Sequence, residues 1–255
     1  MKNFCFDIET IPVDTERLNA IIPPFNADEV RVGNLTDPEK IAAKIERART
    51  EHFQRYYKRA ALSALTGSIA MIGVLGASDG DPIIFVGPNE AETITAFFEF
   101  WLYHTNEGAH WLGFNIKNFD VPFLVRRAWL HKIPVAPGFV KGRYLPAFFT
   151  DLMELWTGPE HAAQFEVSLN DLALYFGFEP KTANGADFHE LLRYKPDEAR
   201  DYLRHDLRLT YRIAEAMHAL KYPTPASVAQ PAPAPEPEPE PELEPVEEKQ
   251  LIKFY

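Results

Sequence analysis

The run Phe4-Cys5-Phe6-Asp7-Ile8-Glu9 constrains the fold of this chain more than any other. Phe4, Phe6 and Ile8 alternate with Cys5, Asp7 and Glu9. That period of two predicts a β-strand with both acids on the face opposite the aromatic residues. A strand this apolar belongs inside a sheet, where both faces are covered. Carboxylates in such a place need a cation or hydrogen-bond donors. Asp7 and Glu9 project to the same side and suit a divalent ion, because Mg²⁺ takes oxygen ligands from a few carboxylates and keeps water or phosphate elsewhere. A bare Asp-x-Glu also decorates solvated strand faces, so the pair takes its meaning from the rest of the chain.

That remainder reads as an α/β fold. Residues 38–65, opened by Asp37-Pro38-Glu39, form a long helix carrying Lys44, Arg47, Arg55, Lys58 and Arg59 and closed by Gly67. Residues 68–75 and 82–86 are rich in Ile and Val and flank the turn Ser78-Asp79-Gly80-Asp81, which predicts a hairpin or meander. Helices follow over 90–104 and 119–131, with strands over 109–114 and 148–153 and further helices over 168–176 and 196–220. Three strands followed by alternating helix and strand predict a mixed sheet with helices on its faces. Residues 14–66 are then a helical insertion between the first two strands. Residues 223–245 alternate Pro with Ala and then Glu, which cannot bury apolar surface and favours a disordered, extended linker. The expected plan is a domain over 1–222, a linker over 223–248 and a terminal peptide over 249–255 that turns hydrophobic again.

Charge divides along the same lines. The net charge of −11 argues at first against a nucleic-acid partner. Residues 225–255 hold −5 of it, and residues 31–66 run the other way, with eight Lys or Arg against four Asp or Glu. Such asymmetry suits an enzyme that keeps carboxylates at one site and grips a polyanion at another. No apolar run approaches the roughly 18 residues of a membrane span, and Asp7 interrupts any signal-peptide core. The lone cysteine, Cys5, reads as a small buried hydrophobe. A soluble, cytoplasmic protein without a membrane partner is expected.

Two further places can carry chemistry. Asp120 follows the strand Trp111-Leu112-Gly113-Phe114 at a strand-to-helix junction, where open α/β sheets commonly place ligands, though Asp is also a favoured helix cap. On the last helix Tyr202 and Asp206 are four apart, hence on one face, and Leu203, Leu207 and Thr210 fill a neighbouring stripe that docks on the sheet. Together these elements resemble the DEDD superfamily of 3′ to 5′ exonucleases. Phe6-Asp7-Ile8-Glu9-Thr10 is similar to its first motif, Gly113-Phe114-Asn115 through Asp120 and Leu124 to its second, and Tyr202 through Asp206 to its third. Tyr four residues before the last Asp resembles the tyrosine branch, and the likeness is to the proofreading exonuclease domains of family B polymerases.

The resemblance implies a ribonuclease H-like fold in which Asp7, Glu9, Asp120 and Asp206 hold two Mg²⁺ or Mn²⁺ ions. Tyr202 orients the attacking water, and Thr10, Asn115 and Phe119 lie near the terminal nucleotide. The implied reaction releases mononucleotides from single-stranded or frayed 3′ ends of DNA, in trans to any polymerase. The same chemistry on RNA, or a non-catalytic nucleic-acid-binding adaptor, are the alternatives. Phe53, Tyr56 and Tyr57, interleaved with Arg55 and Lys58, suit either base stacking or a core. Asp151 reads as a supporting or capping residue, and Asn184-Gly185 as a turn near substrate by analogy with related domains. The peptide Gln250, Leu251, Ile252, Lys253, Phe254 resembles short peptides that bind bacterial sliding clamps, with Lys253 departing from their pattern. On a Pro-stiffened tether it would raise effective concentration at a replication complex.

Overall fold

The computed structural model describes residues 2–136, 138–139, 149–158, 167–181 and 188–221. The chain divides into two units, Met1–Thr224 and Pro225–Tyr255, and every described residue lies in the first. The linker, the peptide with Gln250, Leu251 and Phe254, and the Asn184-Gly185 turn lie outside the described residues.

Five strands form one sheet: β1 (Asn3–Pro12), β2 (Gly67–Leu75), β3 (Ile83–Phe85), β4 (His110–Gly113) and β5 (Phe149–Asp151). Their order is β3-β2-β1-β4-β5. The first three are antiparallel neighbours, whereas β4 and β5 run parallel to β1, so the expected mixed sheet is present. The described helices are α1 (Thr15–Ile21), α2 (Pro38–Arg59), α3 (Glu90–Asn106), α4 (Asp120–Leu130), α5 (Leu152–Thr157), α6 (Leu169–Tyr175), α7 (Phe188–Tyr194) and α8 (Pro196–Ala216). Among them, none is long and apolar enough to cross a membrane.

Alternation in β1 splits the core into two layers. Phe4, Phe6 and Ile8 join Ile94, Phe97 and Trp101 of α3 and Phe123 and Leu124 of α4. Cys5, on the opposite face with the acids, joins Met71, Leu112, Phe188 and the α8 residues Leu203 and Leu207. Gly73 of β2 lets α8 lie this close, since a Cβ there would sit 2.6 Å from Leu207 Cδ1 and 2.9 Å from Leu203 Cγ.

Three expectations are corrected. The long helix ends at Arg59 rather than running to 65: Ala60–Leu62 tighten into a 3₁₀ turn. The reason is tertiary, because Thr66 Oγ1 donates to the Ala60 carbonyl and Thr10 Oγ1 to that of Ala61, both at 2.8 Å, carbonyls that helix continuation would use. The last helix stops at Ala216, with His218 in the left-handed region at φ 53°. The short helices α1, α5 and α7 were not predicted; α1 and α5 are started by Asp14 and Asp151, whose side chains accept from backbone N–H groups of their first turns.

Candidate active site

The site forms where parallel neighbours part. β4 pairs with β1 at Asn3, Phe4 and Cys5, so among the described residues the backbone of β1 beyond Cys5 has no strand on that side. Asp120, the first residue of α4, fills the gap: its Oδ1 accepts from Ile8 N–H at 2.9 Å. It therefore ties α4 to β1 rather than capping its helix, whose N-cap position is Phe119 without a side-chain cap bond. The turn before it is fixed by Asp151, which accepts from the N–H groups of Asn115 (2.8 Å) and Lys117 (3.0 Å) as well as of Met153. Asn115 itself takes φ 59°. At the same level β1 carries an irregularity between Glu9 and Thr10, a device that re-aims side chains at strand ends.

On the α8 face, carboxylate oxygens of Asp7, Glu9 and Asp206 all lie within 4.8 Å of one another. Asp206 reaches β1 because its neighbour Leu207, and Leu203 and Thr210 one turn either side, are buried. Asp120 stands outside that mutual group, behind Asp7, to which it offers a side-chain hydrogen bond. Burial, and then the Asp206 carboxylate, push the Asp7 carboxyl up to about 7, against the opposing pull of Lys181. Glu9 and Asp120 are likewise raised well above the carboxylate range, chiefly by burial and then by Asp7. Acids gathered this way resist ionising together, and a divalent cation relieves the repulsion. Asp206 Oδ1 is buried without a hydrogen-bond partner among the described residues, an acceptor that such an ion would satisfy.

Tyr202, one turn before Asp206, is half-buried beside Phe188 at a ring separation of 6.0 Å. Burial and the neighbouring carboxylates of Asp206, Glu9 and Asp7 raise its pKa, so the phenol keeps its proton. The Thr10 hydroxyl donates to the Ala61 carbonyl at 2.8 Å, and the half-buried Phe119 ring packs against Phe123 at 5.5 Å.

Sequence reasoning missed Lys181. Its Nζ donates to Asp206 Oδ2 at 2.7 Å and to Tyr202 Oη at 3.3 Å, a cation set against the acids. Asn170 of α6 holds it there, its side-chain amide bonding the Lys181 N–H and carbonyl at 3.0 and 3.4 Å. A lone Lys after Pro180 in a loop carries no periodic signal; the nearest hint was the Asn184-Gly185 turn three residues on.

These features define a class: an α/β domain with a mixed sheet whose first strand presents clustered carboxylates toward its C-terminal end. The chain belongs to the RNase_H superfamily, whose family model matches residues 60–215. The matched stretch contains Asp120, Tyr202 and Asp206 and begins after Asp7 and Glu9. Among solved structures the chain is similar to the family B DNA polymerase from the hyperthermophilic archaeon Pyrobaculum calidifontis, at 19% sequence identity and TM-score 0.52 over 86% of its length. The match takes in 24% of that polymerase, so this chain spans about a quarter of its length, and at such identity the likeness concerns the fold. No curated protein matches the chain.

Proposed function

We propose that the protein is a metal-dependent 3′ to 5′ exonuclease that removes nucleoside monophosphates from single-stranded or frayed DNA ends. Membership of the RNase_H superfamily supports nuclease chemistry. The observation that carries the reading is the meeting of Asp7, Glu9 and Asp206 within 4.8 Å, with Asp206 Oδ1 lacking a partner among the described residues. Two Mg²⁺ or Mn²⁺ ions held by these three and Asp120 would supply a nucleophile from water and relieve charge on the leaving 3′ oxygen.

The chain's own side chains do the rest. Asp120, through Ile8 N–H, fixes the strand end on which Asp7 and Glu9 stand. Tyr202, kept protonated, cannot serve as a base near neutral pH and instead orients water through its hydroxyl. Lys181 balances Asp206 when no other cation does. Thr10, Asn115 and Phe119, on the strand end and turn around the carboxylates, are assigned to the terminal nucleotide.

The test uses single strands of DNA and RNA labelled at either end, incubated with Mg²⁺ or with EDTA. Metal-dependent release of 3′ mononucleotides is expected, abolished in Asp7→Ala. An active Asp7→Ala protein eliminates the metal-site assignment, and degradation of RNA in preference to DNA overturns the substrate.

A further inference from the structure

α2 has 22 residues and none is buried. A helix of that length ordinarily gives an apolar face to a core. Here Ile41, Ile45, Ala48, His52, Phe53 and Tyr57 form only a half-buried side, Tyr57 packing on the small cluster of Val13, Leu18 and Ala60. His52 Nε2 lies 2.9 Å from the Pro23 carbonyl, and the Arg49 guanidinium 5.2 Å over the Phe25 ring. The other side carries Lys40, Lys44, Arg47, Glu51, Arg55 and Lys58, all exposed and three or four residues apart, hence on one face. Its single carboxylate is already paired, Arg47 Nε to Glu51 Oε1 at 2.9 Å, and Lys40 lies 3.6 Å from Asp37. Lys44, Arg55 and Lys58 have no ion-pair partner among the described residues. From Lys44 to Lys58 the stripe runs about 21 Å at 1.5 Å per residue.

The helix ends beside the strand that carries Asp7 and Glu9. α2 passes into the 3₁₀ turn Ala60–Leu62, whose Ala61 carbonyl takes the Thr10 hydroxyl at 2.8 Å, one residue beyond Glu9. Leu62 on that turn and Leu65 just after it stand 64% and 70% exposed. Cations and exposed leucines thus follow one another along the chain, and a hydrogen bond joins their far end to the strand that carries Asp7 and Glu9. A strand of phosphates approaching a molecule of net charge −11 needs a local positive surface to reach a cluster of acids. Exposed aliphatic groups at the end of that surface suit unpaired bases, whereas a duplex keeps its bases stacked inside.

We infer that the exposed face of α2, continued by Leu62 and Leu65, is a docking track for single-stranded nucleic acid leading to the carboxylates. Its cations hold phosphates, and Leu62 and Leu65 pack against bases. The track takes its direction from the nuclease reading, but its binding is measurable without catalysis. The experiment titrates a labelled single strand long enough to span α2 onto the full chain in EDTA, across a range of salt.

Each cation–phosphate contact on a single strand contributes about −0.7 to the slope of log affinity against log salt, so Lys44→Gln with Arg55→Gln and Lys58→Gln should flatten it by about 2. Raising salt from about 50 to about 200 mM then weakens wild-type binding roughly 20-fold more than the variant's. Lys44→Arg with Lys58→Arg should keep the wild-type slope. A triple Gln variant of unaltered Tm with an unaltered slope overturns the track, whatever the hydrolysis assay gives. A wild-type protein that binds with the expected slope yet hydrolyses nothing in Mg²⁺ supports the track and overturns the nuclease reading alone.

Discussion

Replacing Asp7 by Asn should make the metal-free protein more stable at pH 8. Asp7 ionises at about 7 in the folded chain, because burial and Asp206 oppose its charge, against 3.8 for a free carboxyl. A raised carboxyl contributes stability that is complete below the unfolded value and lost as pH climbs through the folded one. At about 1.36 kcal/mol per unit, the loss between pH 4 and pH 8 has a ceiling of about 4 kcal/mol. Asn keeps the shape without the charge, so water and local relaxation aside, the variant escapes that loss. For a domain of this size a gain of about 1–4 kcal/mol is a Tm rise of roughly 2–16 °C. The assay is thermal unfolding in EDTA at pH 4.5 and pH 8. The gap should be wide at pH 8 and narrow at pH 4.5. With Mn²⁺ at about 100 times its dissociation constant, wild type should recover about 2.7 kcal/mol and the variant less. An Asp7→Asn protein no more stable than wild type at pH 8 refutes the claim that burial and the Asp206 carboxylate oppose the charge on Asp7.

Tyr202→Phe should slow turnover in Mg²⁺ at least tenfold while leaving single-strand affinity in EDTA unchanged, whereas equal losses would remove the water-orienting role. Lys181→Met, which strips the cation from Asp206 Oδ2, should cost about 1.5–3 kcal/mol in EDTA at pH 8, with Mn²⁺ restoring most of it. Unaltered denaturant midpoints would show that the ammonium contributes nothing. Gly73→Ala places a methyl group 2.6 Å from Leu207 Cδ1, and should destabilise by about 1–3 kcal/mol and weaken the Mn²⁺-induced Tm shift by moving Asp206. A wild-type Tm in the Gly73→Ala variant would mean that α8 docks less tightly than its contacts indicate.

The mixed sheet was legible because its strands are apolar and regular, and Asp7 and Glu9 were legible because charge is out of place in such a strand. The partner of Asp120 was not, since the free Ile8 N–H exists only because β4 stops pairing at Cys5, a matter of register that no local pattern encodes. The end of α2 was misplaced for a similar reason: Thr10 and Thr66 claim its last carbonyls from elsewhere in the chain. α1, α5 and α7 have six or seven residues, below the length at which helices persist alone, so packing rather than propensity makes them. Lys181 depends on the clasp from Asn170, a pairing of two polar residues with no periodic signature.

Pro12 and Gly67 face each other across β1 and β2. Everything between them leaves and returns at one point of the sheet. The excursion can therefore lengthen, shrink or be exchanged without shifting a rung of the ladder, while a one-residue deletion inside β1 would swap its two faces and turn the acids into the aromatic layer. The proposed metal site and the proposed docking track are thus separable: the parity of the sheet fixes one, and the excursion carries the other.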